Sequence, residues 1–408
     1  MRILIVNKFH YIKGGSEKYY FDLAELLREN NHEVALFSMK DEKNIHTNFK
    51  EYFTDNMDIN TNNKLKALDV IYSNKNKKKM KEALEDFKPD IVHLNNFQRQ
   101  LSSSIIDPII KRKIPIVFTA HDIEAICPNK TMLDSNGEIC DKCIGGKYFN
   151  CIKKKCIKNS KLKSGLGAIE ATYYRIRKIY SKKINVIITP SEFYKRKLLE
   201  DGIPEEKIVT AHNFIDMNTY NLLLENENYA LYFGRLSKEK GILNLIEAFS
   251  KLDKGKLYIA GTGPEEDAIK KMIHKYKIED KVKLLGFLNE KDMRECIRKS
   301  AFVILPSVWN DNCPYSIIET LSIGKPVIGT NMGGIPELVI NNVNGLICRS
   351  NDVDDLKEKM HILFENDEFL EELGKNAKAM AKINYSKETY YNKLMKIYKE
   401  VLGENHVQ

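Results

Sequence analysis

The chain opens on a run that is apolar at nearly every position, "RILIVNKF", the pattern of a parallel strand buried on both faces. A glycine-bearing loop, "YIKGGSE", follows, and "YYFDLAELLRENN" then places apolar residues at the three- and four-residue spacing of one helix face. "HEVALFS" returns to the strand pattern. The spacing predicts a β-loop-α-β unit that begins a doubly wound α/β sheet. "DIVHLNN", "PIVFTAHD" and "VIITPSEF" predict further strands, the last of them closing the first half. The alternation restarts at "ALYFGRLSKEKGILNLIEAFSKL" and runs through "KLYIAGTGPEEDAIKKMI", "VKLLGF", "AFVILPS" and "PVIGTNMGG". Two Rossmann-like halves joined near residues 200–225 explain this order. The carboxyl ends of both strand sets are expected to line a cleft between them.

Composition narrows the picture only a little. At about 100–200 residues per domain, 408 residues make two domains, and 43% hydrophobic with 30% charged residues excludes a disordered chain. No run of about 18 apolar residues predicts a membrane span, and "MRILIVNKFH" lacks the long apolar region of a secretory leader. A cytoplasmic protein is the expectation. The net charge of +9 suits nucleic acid, anionic lipid or phosphorylated substrates without choosing among them. The lysines of "NKNKKKMKEALEDFKPD" are read as a solvated helix face, against the alternative of a surface for anionic lipid or an acidic acceptor.

The chemistry concentrates in the second half. "YFGRLSKEKG" puts Arg235 and Lys240 just past a strand end, and a planar guanidinium beside a compact ammonium suits a diphosphate. "GTGPEED" starts a helix whose first-turn acids would repel a phosphate, so that loop is expected to shape the wall of the site rather than grip an anion. In "AFVILPSVWNDNCPYSIIETLSIGKPV" a strand, a loop and a helix succeed one another, with Pro314 at the helix start and Gly324 at its end. The first turn, at Tyr315 and Ser316, then offers N–H groups to an anion. Asp311 falls in the loop and Glu319 within the helix, so the two carboxylates need not touch. "DVDD" at Asp352 to Asp355 formally resembles a metal-binding triplet, but it precedes a helical pattern and is read as a helix start.

These segments, in this order and spacing over nearly the whole chain, resemble the family 4 retaining glycosyltransferases and their Glu-x7-Glu region. The resemblance implies the GT-B fold: an acceptor-binding domain over residues 1–205, a nucleotide-sugar-binding domain over 206–384, and a helix over 385–408 crossing back to the first domain. It implies that Arg235 and Lys240 bind the donor diphosphate, that Glu319 binds the ribose, and that Asp311, at the first glutamate's position, meets donor-sugar hydroxyls. Backbone groups around Pro314, Tyr315 and Ser316 would face phosphates and sugar, and those near Phe287 and Leu288 the base. Gly14 and Gly15 match the glycine loop over the diphosphate, and His121 the histidine beside the transferring sugar. Aspartate at 311 departs from the pattern by one methylene, roughly 1.5 Å, which bears on the identity of the donor sugar. The implied reaction is metal-independent and retaining. It moves a sugar from a nucleotide diphosphate such as UDP or GDP onto a glycan or lipid-linked acceptor of a capsule or lipopolysaccharide, with peripheral contact with the inner membrane face and no role for nucleic acid. A sugar-nucleotide epimerase of the same fold and a non-catalytic binding protein are the rival readings.

Residues 127–160 carry five of the eight cysteines: Cys127, the Cys140-x2-Cys143 pair, Cys151 and Cys156. In a cytoplasmic protein such spacing points to thiolate ligation of a structural zinc by four of the five. Free or redox-active thiols are the alternative. The resemblance places this insertion on the acceptor domain.

Overall fold

The structure is a computed structural model that describes residues 1–57, 69–220 and 225–403. Residues 221–224 of the expected linker and 404–408 of the expected crossing stretch therefore lie outside the described residues. The chain forms two compact units, Met1–Ala211 with Tyr391–Gln408, and His212–Tyr390.

Unit 1 is built on seven parallel strands: β1 (Arg2–Val6), β2 (Glu33–Met39), β3 (Lys50–Thr54), β4 (Ile91–Leu94), β5 (Ile116–Thr119), β6 (Val186–Thr189) and β7 (Ile208–Thr210). Their order is β3-β2-β1-β4-β5-β6-β7. Ile3, Leu4, Ile5 and Val6 are fully buried, as a strand covered by helices on both faces requires. The helices of this unit include α1 (Gly15–Glu29), α2 (Asn74–Phe87), α3 (Phe149–Lys153), α4 (Lys161–Ile176) and α5 (Glu192–Glu200). Two strands escape the apolar-run reading. β3 is an edge strand that is mostly half-buried, and β7 follows "VIITPSEF", which therefore does not close the half.

Unit 2 repeats the plan with β8 (Tyr229–Phe233), β9 (Lys256–Ala260), β10 (Val282–Gly286), β11 (Phe302–Leu305), β12 (Val327–Thr330) and β13 (Gly345–Cys348), in the order β10-β9-β8-β11-β12-β13. Its helices include α6 (Ile242–Ser250), α7 (Glu266–Tyr276), α8 (Glu290–Lys299), α9 (Tyr315–Ile323), α10 (Val353–Glu365) and α11 (Asp367–Tyr385), and the last helix is α12 (Lys387–Leu402). The far part of α12 belongs to unit 1, where Tyr398 is fully buried and its hydroxyl lies 2.6 Å from His93 Nδ1.

In each unit the chain reverses its direction of strand addition once, between β1 and β4 and between β8 and β11. Loops leaving the carboxyl ends of those strands splay apart, and open α/β sheets take ligands there. Among the described residues no helix is long and apolar enough to cross a membrane.

Candidate functional site

The reversal point of unit 2 brings together what lies 71 residues apart in sequence. Lys240, on the loop after β8, donates to both carboxylate oxygens of Asp311, on the loop after β11, each at 2.8 Å. Ser307 Oγ donates to Asp311 Oδ2 at 2.6 Å, and the Lys240 ammonium lies 5.3 Å from the centre of the Trp309 ring. Asp311 is 7% exposed, so its charge is held by these partners rather than by water. Two glycines make the approach possible. Gly241 sits at φ 69°, where a Cβ would fall 1.9 Å from the Pro306 carbonyl oxygen, and Gly333 sits at φ 59°, where one would fall 2.1 Å from the Asp311 carbonyl oxygen. The Gly334 N–H donates to that same oxygen at 2.7 Å.

Arg235 stands on the same loop as Lys240 but is exposed, and its guanidinium forms no ion pair among the described residues. A cation left in water at a strand's carboxyl end is ready for an anion without first breaking a bond. The "GTGPEED" loop packs alongside: Leu236 N–H donates to the Thr262 carbonyl and Glu265 N–H to the Leu236 carbonyl, both at 3.0 Å. These backbone bonds tie the loop after β9 to the loop after β8.

Pro314 is the N-cap of α9 and Gly324 its C-cap at φ 93°, with Tyr315 and Ser316 in the first turn. Glu319 is a turn further on and accepts a hydrogen bond from Tyr220 Oη at 3.0 Å. Burial and the Glu319 carboxylate push the Tyr220 phenol well above its ordinary range, so it remains a donor. Asp311 and Glu319 have different partners, as the helix between them dictates. Phe287, just beyond β10, is 80% exposed, with Leu288 half-buried beside it. Asp352 caps α10 by accepting from Asp355 N–H at 2.9 Å, and Asp354 pairs with Lys251 at 2.8 Å, so the "DVDD" acids serve a helix start.

In unit 1, His121 follows β5 and its Nε2–H donates to Asn95 Oδ1 at 2.9 Å. Asn95 Nδ2 donates to the Val6 carbonyl, which turns Oδ1 toward the imidazole and fixes the tautomer. The Tyr19 ring meets His121 edge-on at 4.7 Å. Burial pushes the imidazole down to about 3, so His121 is neutral through the working range. Gly14 and Gly15 are exposed at the start of α1, above the buried Glu17, whose carboxyl burial raises.

Beside them lies an ion cluster that sequence reasoning misses. Arg99 Nε is 2.6 Å from Glu124 Oε1 and 3.9 Å from Glu170 Oε2, and Lys8 Nζ is 3.8 Å from Glu124 Oε2. Burial, with the Glu124 charge nearby, pushes Glu170 up to about 7. Also missed are Ser307, Tyr220 and Asn95. Ser307 stands four positions before Asp311 and is findable, whereas Tyr220 and Asn95 reach their partners only through the fold.

The insertion gathers Cys127, Cys140, Cys143, Cys151 and Cys156 around one small cavity. All are free thiols, and as placed no group of three or more His, Cys, Asp or Glu among the described residues forms a metal-holding set. Burial and the neighbouring thiols push the Cys143 thiol up to about 12.

Comparison with known proteins places this geometry. Residues 13–219 match the model of Glycosyltransferase Family 4, and residues 218–380 that of Glycosyl transferases group 1. An uncharacterized glycosyltransferase of Methanocaldococcus jannaschii is 29% identical over 218 residues, 53% of this chain and 59% of that protein. The amylovoran biosynthesis glycosyltransferase AmsK of Erwinia amylovora is 27% identical over 227 residues, 52% of this chain and 56% of that protein. The match thus spans a little over half the length of each relative. The crystal structure of Anabaena Alr3699/HepE in complex with UDP and glucose has a TM-score of 0.71 at 17% identity, covering 98% of this chain and 100% of that one. The fold is GT-B, with two Rossmann-like α/β units.

Proposed function

Because this chain belongs to the family 4 glycosyltransferases, we propose that it transfers a sugar, with retention and without a metal, from a nucleotide diphosphate sugar to a glycan or lipid-linked acceptor in cell-surface polysaccharide assembly. The observation that carries this reading is the exposed Arg235 beside the Lys240–Asp311 pair at the reversal point of unit 2. When the sugar leaves, negative charge grows on the diphosphate, and fixed cations aimed there lower the barrier. Arg235 and Lys240 take that role, and the N–H groups at the start of α9, near Pro314, Tyr315 and Ser316, supplement them. Asp311, oriented by Lys240 and Ser307, meets hydroxyls of the donor sugar. Glu319 meets the ribose, and the backbone around Phe287 and Leu288 the base. In unit 1, neutral His121 offers hydrogen bonding rather than charge to the sugar, and Gly14 and Gly15 let backbone approach the diphosphate. The acceptor attacks from the face the leaving phosphate vacates, and that phosphate takes up its proton. The UDP in the HepE complex and the amylovoran pathway of AmsK support UDP as the first donor base to try and a surface polysaccharide as the product class.

Incubation with a panel of UDP- and GDP-sugars tests the reaction. Nucleoside diphosphate release that rises with added glycan or lipid-linked acceptor is the expected result. Conversion of the donor to a different sugar nucleotide without any acceptor would instead indicate an epimerase.

Glu319→Gln should raise the KM of every accepted donor by about tenfold, the worth of roughly one charge-assisted hydrogen bond, while leaving their ranking intact. Glutamine still accepts from Tyr220, so the helix stays in place. Steady-state kinetics that show one donor selectively lost would remove Glu319 from the ribose.

We also propose that four of the five insertion thiols hold a structural zinc, since five sulfurs around one cavity supply what a closed tetrahedral site takes. Elemental analysis of protein purified without chelator is expected to give about one zinc per chain, falling when Cys140 and Cys143 are changed to serine. Metal-free, fully folded protein would refute it.

A further inference from the structure

Helix α4 is apolar on two opposite faces. Its inner face, with Ser164, Gly167, Ala168 and Tyr174, is buried; Ala168 packs with Cys143, Tyr148 and Cys151 of the insertion. Its outer face carries Leu162, Ile169 and Ile176, seven residues apart and therefore nearly in line. They are 85%, 56% and 73% exposed, and Phe149 of α3, which packs on α4, is 64% exposed. Single exposed apolar residues are ordinary, but a stripe running nearly four turns with an added phenylalanine is a surface made for an apolar partner.

Charge identifies the partner. Between Lys142 and Lys183 the chain holds thirteen Lys and Arg and one acid, the buried Glu170; Lys154 pairs with Asp134, Arg175 with Asp201, and Arg177 and Lys183 with Asp107, so the excess of positive charge rests on the other lysines. Lys161 and Lys163 flank Leu162 directly and are exposed. A second copy of this face would bring the same positive charge, and the two would repel. Nucleic acid would take the lysines but leave the stripe in water. An anionic bilayer satisfies both, with apolar side chains entering the acyl boundary and ammonium groups at the headgroups. Helix α2, the lysine-rich segment singled out from the sequence, differs: Lys79 and Lys81 pair with Glu82 and Glu85, and its apolar residues Met80, Ala83, Leu84 and Phe87 are buried.

We propose that the outer face of α4, with Phe149 and the surrounding lysines, is a docking surface for an anionic lipid bilayer, held in shape from behind by the cysteine insertion. The proposal does not depend on the transfer reaction, and binding of a nucleotide in solution is untouched by it.

Flotation of the full chain with vesicles of phosphatidylcholine, with or without phosphatidylglycerol, tests it. Binding is expected to the phosphatidylglycerol vesicles and to fall as salt rises. The triple variant Leu162→Ser/Ile169→Ser/Ile176→Ser should bind them at least about tenfold less. These side chains are solvent-exposed, so the variant keeps the fold, which circular dichroism and nucleotide binding verify. Lys161→Glu/Lys163→Glu should lose the preference for phosphatidylglycerol. Equal binding by the triple variant overturns the proposal. So does a wild-type dimer in gel filtration that the triple variant converts to monomer, because the stripe's partner would then be a second copy.

Discussion

Arg235→Ala is expected to lower kcat by about 10²–10³-fold, the loss of roughly 2.7–4 kcal/mol that follows removal of one preorganised donor to a developing oxyanion. The same substitution should leave the thermal midpoint unchanged, because the exposed guanidinium has no ion pair to lose among the described residues. That split between activity and stability is the distinguishing result. A residue that merely held the loop after β8 in place would lower both. Steady-state kinetics with an accepted donor, paired with calorimetry on the same sample, reads it directly.

The second large effect is a coupling. Lys240 and Asp311 are expected to fail together: Lys240→Met and Asp311→Asn should each cut turnover strongly, and the double variant should be no worse than the more damaging single one. The reason is geometric. Asp311 receives both of its short ammonium bonds from Lys240, and Ser307 Oγ reinforces one oxygen. Lys240→Met leaves that carboxylate buried without its counter-charge, and breaking one side of such a pair commonly costs about 3–5 kcal/mol. Lys240→Met should therefore also destabilise unit 2, and adding Asp311→Asn should restore part of that loss. Independent, multiplying losses of turnover would mean that neither residue needs the Lys240–Asp311 pair to hold its place. Asp311→Glu belongs to the same logic. Its extra methylene moves the carboxylate against Lys240 and Ser307, and a change in donor-sugar preference, rather than a uniform loss, is the expected outcome.

Much of the fold is legible in the apolar pattern alone. Parallel strands buried on both faces leave apolar runs that are hard to mistake, so β1, β4, β5, β6, β8, β9, β10, β11 and β12 all fall inside strand-like runs of the sequence. β3 and β13 do not stand out, the first because an edge strand is only partly covered, the second because "GLIC" is four residues among turn-forming asparagines. Pro314 and Gly324 bound α9 for local reasons of backbone chemistry, which sequence reports well. Long-range pairing is what it does not report. Nothing in "SKEKG" says that Lys240 will sit on Asp311, because that contact depends on β8 and β11 being neighbours in the sheet. The buried cluster of Lys8, Arg99, Glu124 and Glu170 is hidden for the same reason: each residue looks like an ordinary surface charge until four loops and helices converge. The outer stripe of α4 is hidden differently. Its apolar spacing is indistinguishable from that of a core helix until the accessible face is known.

The most direct measurement is isothermal titration of UDP, GDP and ADP into the unmodified chain and into Arg235→Ala. Saturable binding of at least one diphosphate, weakened at least about tenfold by the substitution, is expected from a guanidinium that meets the diphosphate. Absence of saturable binding by all three in the unmodified chain would contradict transfer from a nucleotide sugar.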